Sequence, residues 1–192
     1  MNIVLRTDSP LAGKVFAEAL PYLKVTTISD LSAIPADSTS LVFINILEGD
    51  TKDSIEKAIN DHKRFVHDLC DGVHCLFAFE PSFEHIKKHI AMSGLNRIIF
   101  DMCRYGYAYK KRVRVYSNLK IDSVLCDRLC PGNRHNVISH DPKSWTAQHS
   151  NSRLHKRIHL LKLYDERTYL PIKFVQHLFN YISRCHHSEE PQ

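Results

Sequence analysis

Three segments decide how this chain folds: Phe77-Ala78-Phe79-Glu80-Pro81-Ser82, Asp101-Met102-Cys103-Arg104-Tyr105-Gly106-Tyr107, and Tyr109-Lys110-Lys111-Arg112-Val113-Arg114-Val115-Tyr116-Ser117-Asn118. They read as strand, helix, strand and basic hairpin strand. His74 to Phe79 is a short apolar run, as expected of a buried strand, and it ends in an acid and a proline. Ser82 is a good N-cap for a helix that puts Phe83, Ile86 and Ile90 on one face, and Gly94 and Asn96 stop it. Ile98-Ile99-Phe100 is a second buried strand. Arg112 to Tyr116 alternates charged with apolar residues, which is the period of a half-exposed strand.

This order resembles the C-terminal half of the catalytic domain of cytosine-5 DNA methyltransferases, above all the phage, viral and retroelement versions. In that family an acid-proline element ends a strand. A helix follows, then an aspartate-x-cysteine-x-tyrosine-glycine stretch, then a basic strand closing on Thr or Ser plus Asn. Glu80-Pro81-Ser82, Asp101 to Gly106 and Tyr109 to Asn118 match in order and spacing, and Trp145-Thr146 and Tyr169-Leu170-Pro171 resemble the family's ending. The likeness runs from about Leu76 to Ile182.

Working outward, the 192 residues suit a single domain with a sizeable core. No run approaches the ~20 apolar residues of a membrane span. Met1 to Arg6 has no signal-peptide pattern, so an intracellular protein is expected, and no membrane partner. Six Cys then read as thiols or metal ligands rather than a disulfide framework. The net charge of +5 is unevenly spread: residues 97–135 carry nine Lys/Arg against three Asp/Glu, whereas residues 1–96 carry nine against thirteen. A local positive field attracts polyanions such as nucleic acid, and the bland alternative is a solvated basic face.

The front half alternates strands with helices. Asn2 to Leu5 is a strand, and Ser9 caps a helix that has Pro10 in its first turn and runs to about Tyr22. Lys24 to Ile28 and the strongly apolar Leu41 to Ile46 are strands. Thr51 to Leu69 is a helix with Ile55, Ile59, Val66 and Leu69 on one face and Ala58, His62 and Phe65 beside them. Such alternation means a parallel sheet with crossover helices. The resemblance implies a parallel sheet ending in an antiparallel strand, so the expected fold class is α/β: a Rossmann-like methyltransferase fold, mostly parallel, with an antiparallel hairpin strand and an irregular His/Cys-containing C-terminal part. Residues 1–120 form the methyltransferase-like domain, residues 121–184 pack on it as an extension, and residues 185–192 form a disordered tail. Within the extension Cys126 to Trp145 is irregular, Leu154 to Leu163 forms a short helix, and Pro171 opens a last helix with Ile172, Val175, Leu178, Phe179 and Ile182 inward.

The resemblance implies S-adenosylmethionine at the carboxyl ends of the first strands. Asp8 and Asp30 stand where the donor would lie, Asp30 at the position of a ribose-binding acid. Yet the turn Arg6-Thr7-Asp8-Ser9-Pro10 lacks the glycine that lets backbone approach such a ligand, and Pro10 removes an N–H, so donor binding is not expected. The family's nucleophile is a Pro-Cys after the strand that corresponds to Leu41 to Ile46. Here the loop is Asn45-Ile46-Leu47-Glu48-Gly49-Asp50, with neither residue. Glu80, the family's second catalytic group, is left without its nucleophile; equally it is an acid at a helix N-terminus.

The resemblance assigns the arginines of the basic strand to base and backbone contact. Arg104, Lys110, Lys111, Arg112 and Arg114 supply charge, and Tyr107 is among the tyrosines able to stack on bases. The bland alternative is a charged edge strand. Cys126, Cys130, His135 and His140 offer two sulfurs and two imidazoles, a set that suits structural zinc; in a chain with thirteen His, free thiols and surface His account for it as well.

The sequence therefore reads as a DNA- or RNA-binding protein, a shortened and degenerate relative of a viral or mobile-element methyltransferase. If eukaryotic, it would act in the nucleus or at a site of viral DNA replication, as a homo-oligomer or with a completing subunit. Three other readings stay open. One is an active S-adenosylmethionine-dependent DNA methyltransferase, the second a structural or protein-interaction module. The third is a nuclease using Glu48, Asp50, Asp53 and Lys52, although acids are common at helix starts.

Overall fold

Six strands build the central sheet, in the order β2-β1-β3-β4-β6-β5. They are β1 (Asn2–Arg6), β2 (Lys24–Ile28), β3 (Leu41–Ile46), β4 (Val73–Phe79), β5 (Asn96–Asp101) and β6 (Arg112–Ser117). The computed structural model describes residues 1–29, 41–47, 51–69, 72–79, 86, 94–107, 111–127, 137–139, 158–160 and 169–188; at 67–69, 137–139, 158–160 and 185–188 it describes the backbone alone.

Strands β3 and β4 are buried at every position, as continuous apolar runs in the middle of a parallel sheet should be. Among the described residues three helices cover the sheet. On one face lie α1 (Pro10–Ala19) and α3 (Ile172–Ser188), whose Ala12, Val15, Phe16, Phe174, Val175, Leu178 and Ile182 share a core with Ile3, Leu5, Ile44, Phe77 and Val115. On the other lies α2 (Lys52–Leu69), which buries Ile55, Ala58, Ile59, His62 and Phe65. The result is a three-layer α/β architecture with a mixed sheet.

The local signals explain most boundaries. Ser9 accepts the Ala12 N–H in its side chain, with Pro10 in the first turn of α1. That helix stops at Ala19 rather than Tyr22 because Leu20 precedes Pro21, and a residue before proline is driven out of the helical region. Thr51 caps α2 by accepting the Ser54 N–H at 3.2 Å. On α3 the inward stripe also takes in Phe174, while Ile172 is only half-buried.

Four expectations need correcting. The antiparallel strand does not sit at the border of the sheet: β6 is inserted between β4 and β5, antiparallel to both. Strand β5 is then the edge, and its outer side is closed by the bonds Asp101 N–H to Val124 O and Val124 N–H to Ile99 O, both 2.9 Å. The irregular stretch contains strand β7 (Val137–Ser139), and the expected helix at Leu154 to Leu163 contains strand β8 (Ile158–Leu160), paired parallel to it. Three residues alternating apolar, polar, apolar suit either structure, and only the partner strand decides. Finally, α3 runs to Ser188, into the expected tail, since no Gly or Pro interrupts it.

The amino-terminal end of β4 is held by a side chain. Asn118, just past β6, accepts the His74 N–H at 3.1 Å and donates to the Gly72 carbonyl at 3.0 Å, extending the β4–β6 ladder by one carboxamide. Gly72 is required there because a Cβ would overlap the Leu41 carbonyl oxygen. Asn118→Ala should therefore lower the unfolding free energy by about 1–3 kcal/mol, the range for two lost hydrogen bonds with partners left behind. Gly72→Ala should be the more damaging of the two, as strand β3 must shift. Urea denaturation of the two variants measures both.

Candidate nucleic-acid interface at the carboxyl rim of the sheet

The parallel strands all end on one rim, at Arg6, Ile28, Ile46, Phe79 and Asp101, and β6 begins there at Arg112. The rim's organising group is Asp101. Its carboxylate is fully buried and accepts from Arg112 Nε at 2.8 Å, from Arg112 Nη2 at 3.0 Å and from the backbone N–H of Cys126 at 2.8 Å. A fork-on-fork pair of this kind fixes the guanidinium plane. Asp101 and Arg112 are also register partners on β5 and β6, so the pair closes the hairpin from inside the ladder. The Arg112 side chain keeps 36% of its exposure, so a held cation still reaches solvent.

The Asp101 to Gly106 motif then turns. Met102–Tyr105 is a short 3-10 helix ended by Gly106 in the left-handed region at φ 91°, where glycine carries no Cβ penalty. That turn sends Arg104 outward, where Nη1 meets Asp127 Oδ2 at 2.7 Å with both side chains exposed. It sends Tyr107 back over the rim, stacked on Tyr169 with centroids 6.0 Å apart.

Lys111 corrects the sequence reading, which placed it among phosphate contacts. The residue is 3% exposed. Its Nζ donates to the Tyr169 carbonyl at 2.7 Å and lies 4.6 Å from the Phe79 ring centre and 5.2 Å from that of Tyr107. Burial pushes its pKa well below the ordinary lysine value, while the carbonyl and ring faces favour the charged form. In sequence Lys111 is one more cation in a basic run. In the fold it faces the α3 side with Val113 and Val115, and it ties the chain ahead of α3 to the sheet. Arg114 is half-buried on the opposite face, in register with Ala78 and Ile99. Arg97 and Lys120 are exposed at the far end of the β5–β6 pair, and the sequence reading did not single them out.

The other expected site residues are more scattered. Asp8 is exposed and pairs with Arg6 at 3.7 Å. The turn around it is closed: Ser9 N–H donates to Thr7 Oγ1 at 3.0 Å, and the Ala12 and Gly13 N–H groups go to the Ser9 hydroxyl and carbonyl. Asn45, next to the end of β3 and in register with Arg6, is fully buried with no hydrogen-bond partner for either carboxamide atom. Cys126 is half-buried, tied by its N–H to Asp101. Among the described residues no group of three or more His, Cys, Asp or Glu is placed to hold a metal ion. Glu80, Asp30, Lys110, Cys130, His135 and His140 lie outside the described residues. No described helix is long and apolar enough to cross a membrane.

No protein-family model matches the chain, and no curated protein matches it. Among solved structures it is similar to the crystal structure of the S. pombe Dnmt2 methyltransferase, with a TM-score of 0.37 and 12% sequence identity over 65% of this chain and 52% of that one. The chain thus spans about half the length of the structure it matches.

Asp101→Ala should lower the unfolding free energy by about 3 kcal/mol, the low end for breaking a buried pair because Arg112 reaches solvent. Arg104→Ala, which removes an exposed pair, should change it by less than about 1 kcal/mol. The urea midpoints of the two variants test this difference.

Proposed function

We propose that this chain is a nucleic-acid-binding protein built on a methyltransferase-like scaffold, carrying no methyl transfer of its own. The observation that carries the reading is the concentration of nine Lys/Arg against three Asp/Glu in residues 97–135, the segment that forms β5, the Gly106 turn and β6. A phosphodiester backbone is the partner that such a field suits, because each neutralised phosphate releases condensed counterions. Arg112 and Arg104 contribute differently. Arg112 offers a guanidinium already oriented by Asp101. Arg104 sits in an exposed pair of the kind worth only about 0–1 kcal/mol, so Asp127 is readily exchanged for a phosphate. Lys110 belongs with them by sequence. DNA is the target that the residue resemblance favours, with Arg114 set deeper in the same strand.

The absence of methyl transfer is argued from two features. The turn after β1 uses its own N–H groups in capping α1 and has no glycine, which disfavours the close backbone approach a nucleoside donor needs. The loop after β3 carries no cysteine to attack a pyrimidine.

Fluorescence anisotropy with a short DNA duplex across a salt series tests the reading. Retention at moderate salt with a falling log–log slope is expected. Arg104→Ala should weaken binding about three- to tenfold and flatten the slope by about one unit, the signature of one lost phosphate contact. Lys111→Met should leave the slope unchanged, since that ammonium is enclosed. Titration with S-adenosylmethionine should release no binding heat. A chain that fails to retain duplex, or whose slope responds to Lys111 and not to Arg104, contradicts the proposal.

A further inference from the structure

Two histidines that play no part in the basic rim meet inside the protein. His62 on α2 is 2% exposed and His74 on β4 is 4% exposed. Their ring centres are 5.5 Å apart with planes at 65°, and Phe43 of β3 stacks on His62 at 5.7 Å. Neither nitrogen of His62 has a hydrogen-bond partner, nor has Nδ1 of His74. Phe43 in turn packs on Phe65 at 3.9 Å, within an apolar group that includes Val4, Ile28 and Leu41.

We propose that the His62–His74 contact is an acid-sensitive latch: it holds α2 on the sheet while both rings are neutral and releases the helix when they take up protons. An imidazolium has two N–H donors and a full charge, and a buried charge with nothing to accept it is strongly disfavoured. Among the described residues nothing nearby offers compensation. On α2, Asp61 and Lys63 are half-buried and Arg64 exposed, but residues adjacent in a helix do not share the His62 face. Strands β3 and β4 carry no charged side chain. From β1 the nearest ionic group is Arg6, two residues beyond Val4. From β6 the same face carries Tyr116, opposite Leu76, and Arg114, opposite Ala78, and Arg114 would oppose a second cation. Protonating one ring also opposes protonating the other.

These placements agree with the direction of the rings' acidities. Burial first, then the neighbouring His74, lowers His62 to about 3, and burial lowers His74 to about 4. Both folded values lie below the unfolded value of 6.5. The unfolded or opened chain therefore binds protons that the closed one refuses. The stabilisation is complete above about pH 6.5, is lost progressively as pH falls below that value, and is gone once pH has fallen through about 4 and 3. Because α2 enters the fold from the carboxyl rim, release of the helix would couple acidification to the surface that carries Arg112. The inference itself does not depend on the proposed function.

Urea unfolding of the full chain between pH 7.5 and 5 tests it, above the range where ordinary carboxylates titrate. Below pH 6.5 the unfolding constant of the wild type should rise by up to roughly tenfold per pH unit for each ring. His62→Phe, which keeps the stack on Phe43, should remove about half of that slope. Histidines that titrate alike in both states leave no slope, so the other imidazoles do not obscure the reading. An NMR titration of the wild-type rings provides the second arm and stands even if the variant fails to fold. Two of the thirteen histidines should stay neutral to about pH 4, or change only as α2 amides lose exchange protection. Equal slopes in wild type and His62→Phe, or both rings titrating near 6.5 with α2 still protected, would overturn the latch.

Discussion

Strand β6 runs against both of its neighbours, and side chains lock it at each end. At its start the buried Asp101 carboxylate grips the Arg112 guanidinium through two hydrogen bonds and collects the Cys126 N–H as well. At its finish Asn118 bonds to both the His74 N–H and the Gly72 carbonyl. An antiparallel strand inserted into a parallel sheet must be held in register, since a slip of one residue would exchange its two faces. Here such a slip would bring Lys111, Val113 and Val115 to the α2 side and move Arg112 and Arg114 into the apolar core beneath α3. The two locks therefore set which cations are available at the rim and which are enclosed.

This division separates two uses of positive charge within one short segment. Lys111 and Arg112 are adjacent, yet one ammonium is enclosed by Phe79, Tyr107 and the Tyr169 carbonyl while the other cation reaches solvent. Arg104, thrown outward by the Gly106 turn, is held by the exposed carboxylate of Asp127. A count of basic residues captures the field of the segment but overstates the number of cations that can meet a polyanion. The opposite face of the sheet has its own tension, because two neutral imidazoles and an unpartnered carboxamide are buried where α2 covers β3 and β4.

Much of the scaffold could be read from residue order. Ser9-Pro10 starts α1 and Thr51 starts α2 because capping is settled by a few consecutive residues. Leu41 to Ile46 and Val73 to Phe79 are buried on both faces because apolar runs of that length have no exposed side to offer. The alternation in Arg112 to Ser117 marked β6 as a strand. The stop of α1 ahead of Pro21 was equally local, although the stripe of apolar residues ran past it. By contrast, β7 and β8 were invisible, being three residues each and meaningful only as a pair.

The sequence by itself determined the α/β class, the order of β1 to β6 with α1 and α2, and the concentration of cations in one segment, because periodicity, capping and net charge are properties of neighbouring residues. Tertiary structure alone decided that β6 would sit between β4 and β5, that Lys111 would be sealed under two aromatic rings, and that His62 would meet His74. Those outcomes depend on residues distant in the chain arriving on the same face of one sheet. Burial and partner geometry, which set a side chain's charge state and reach, exist only after that arrival.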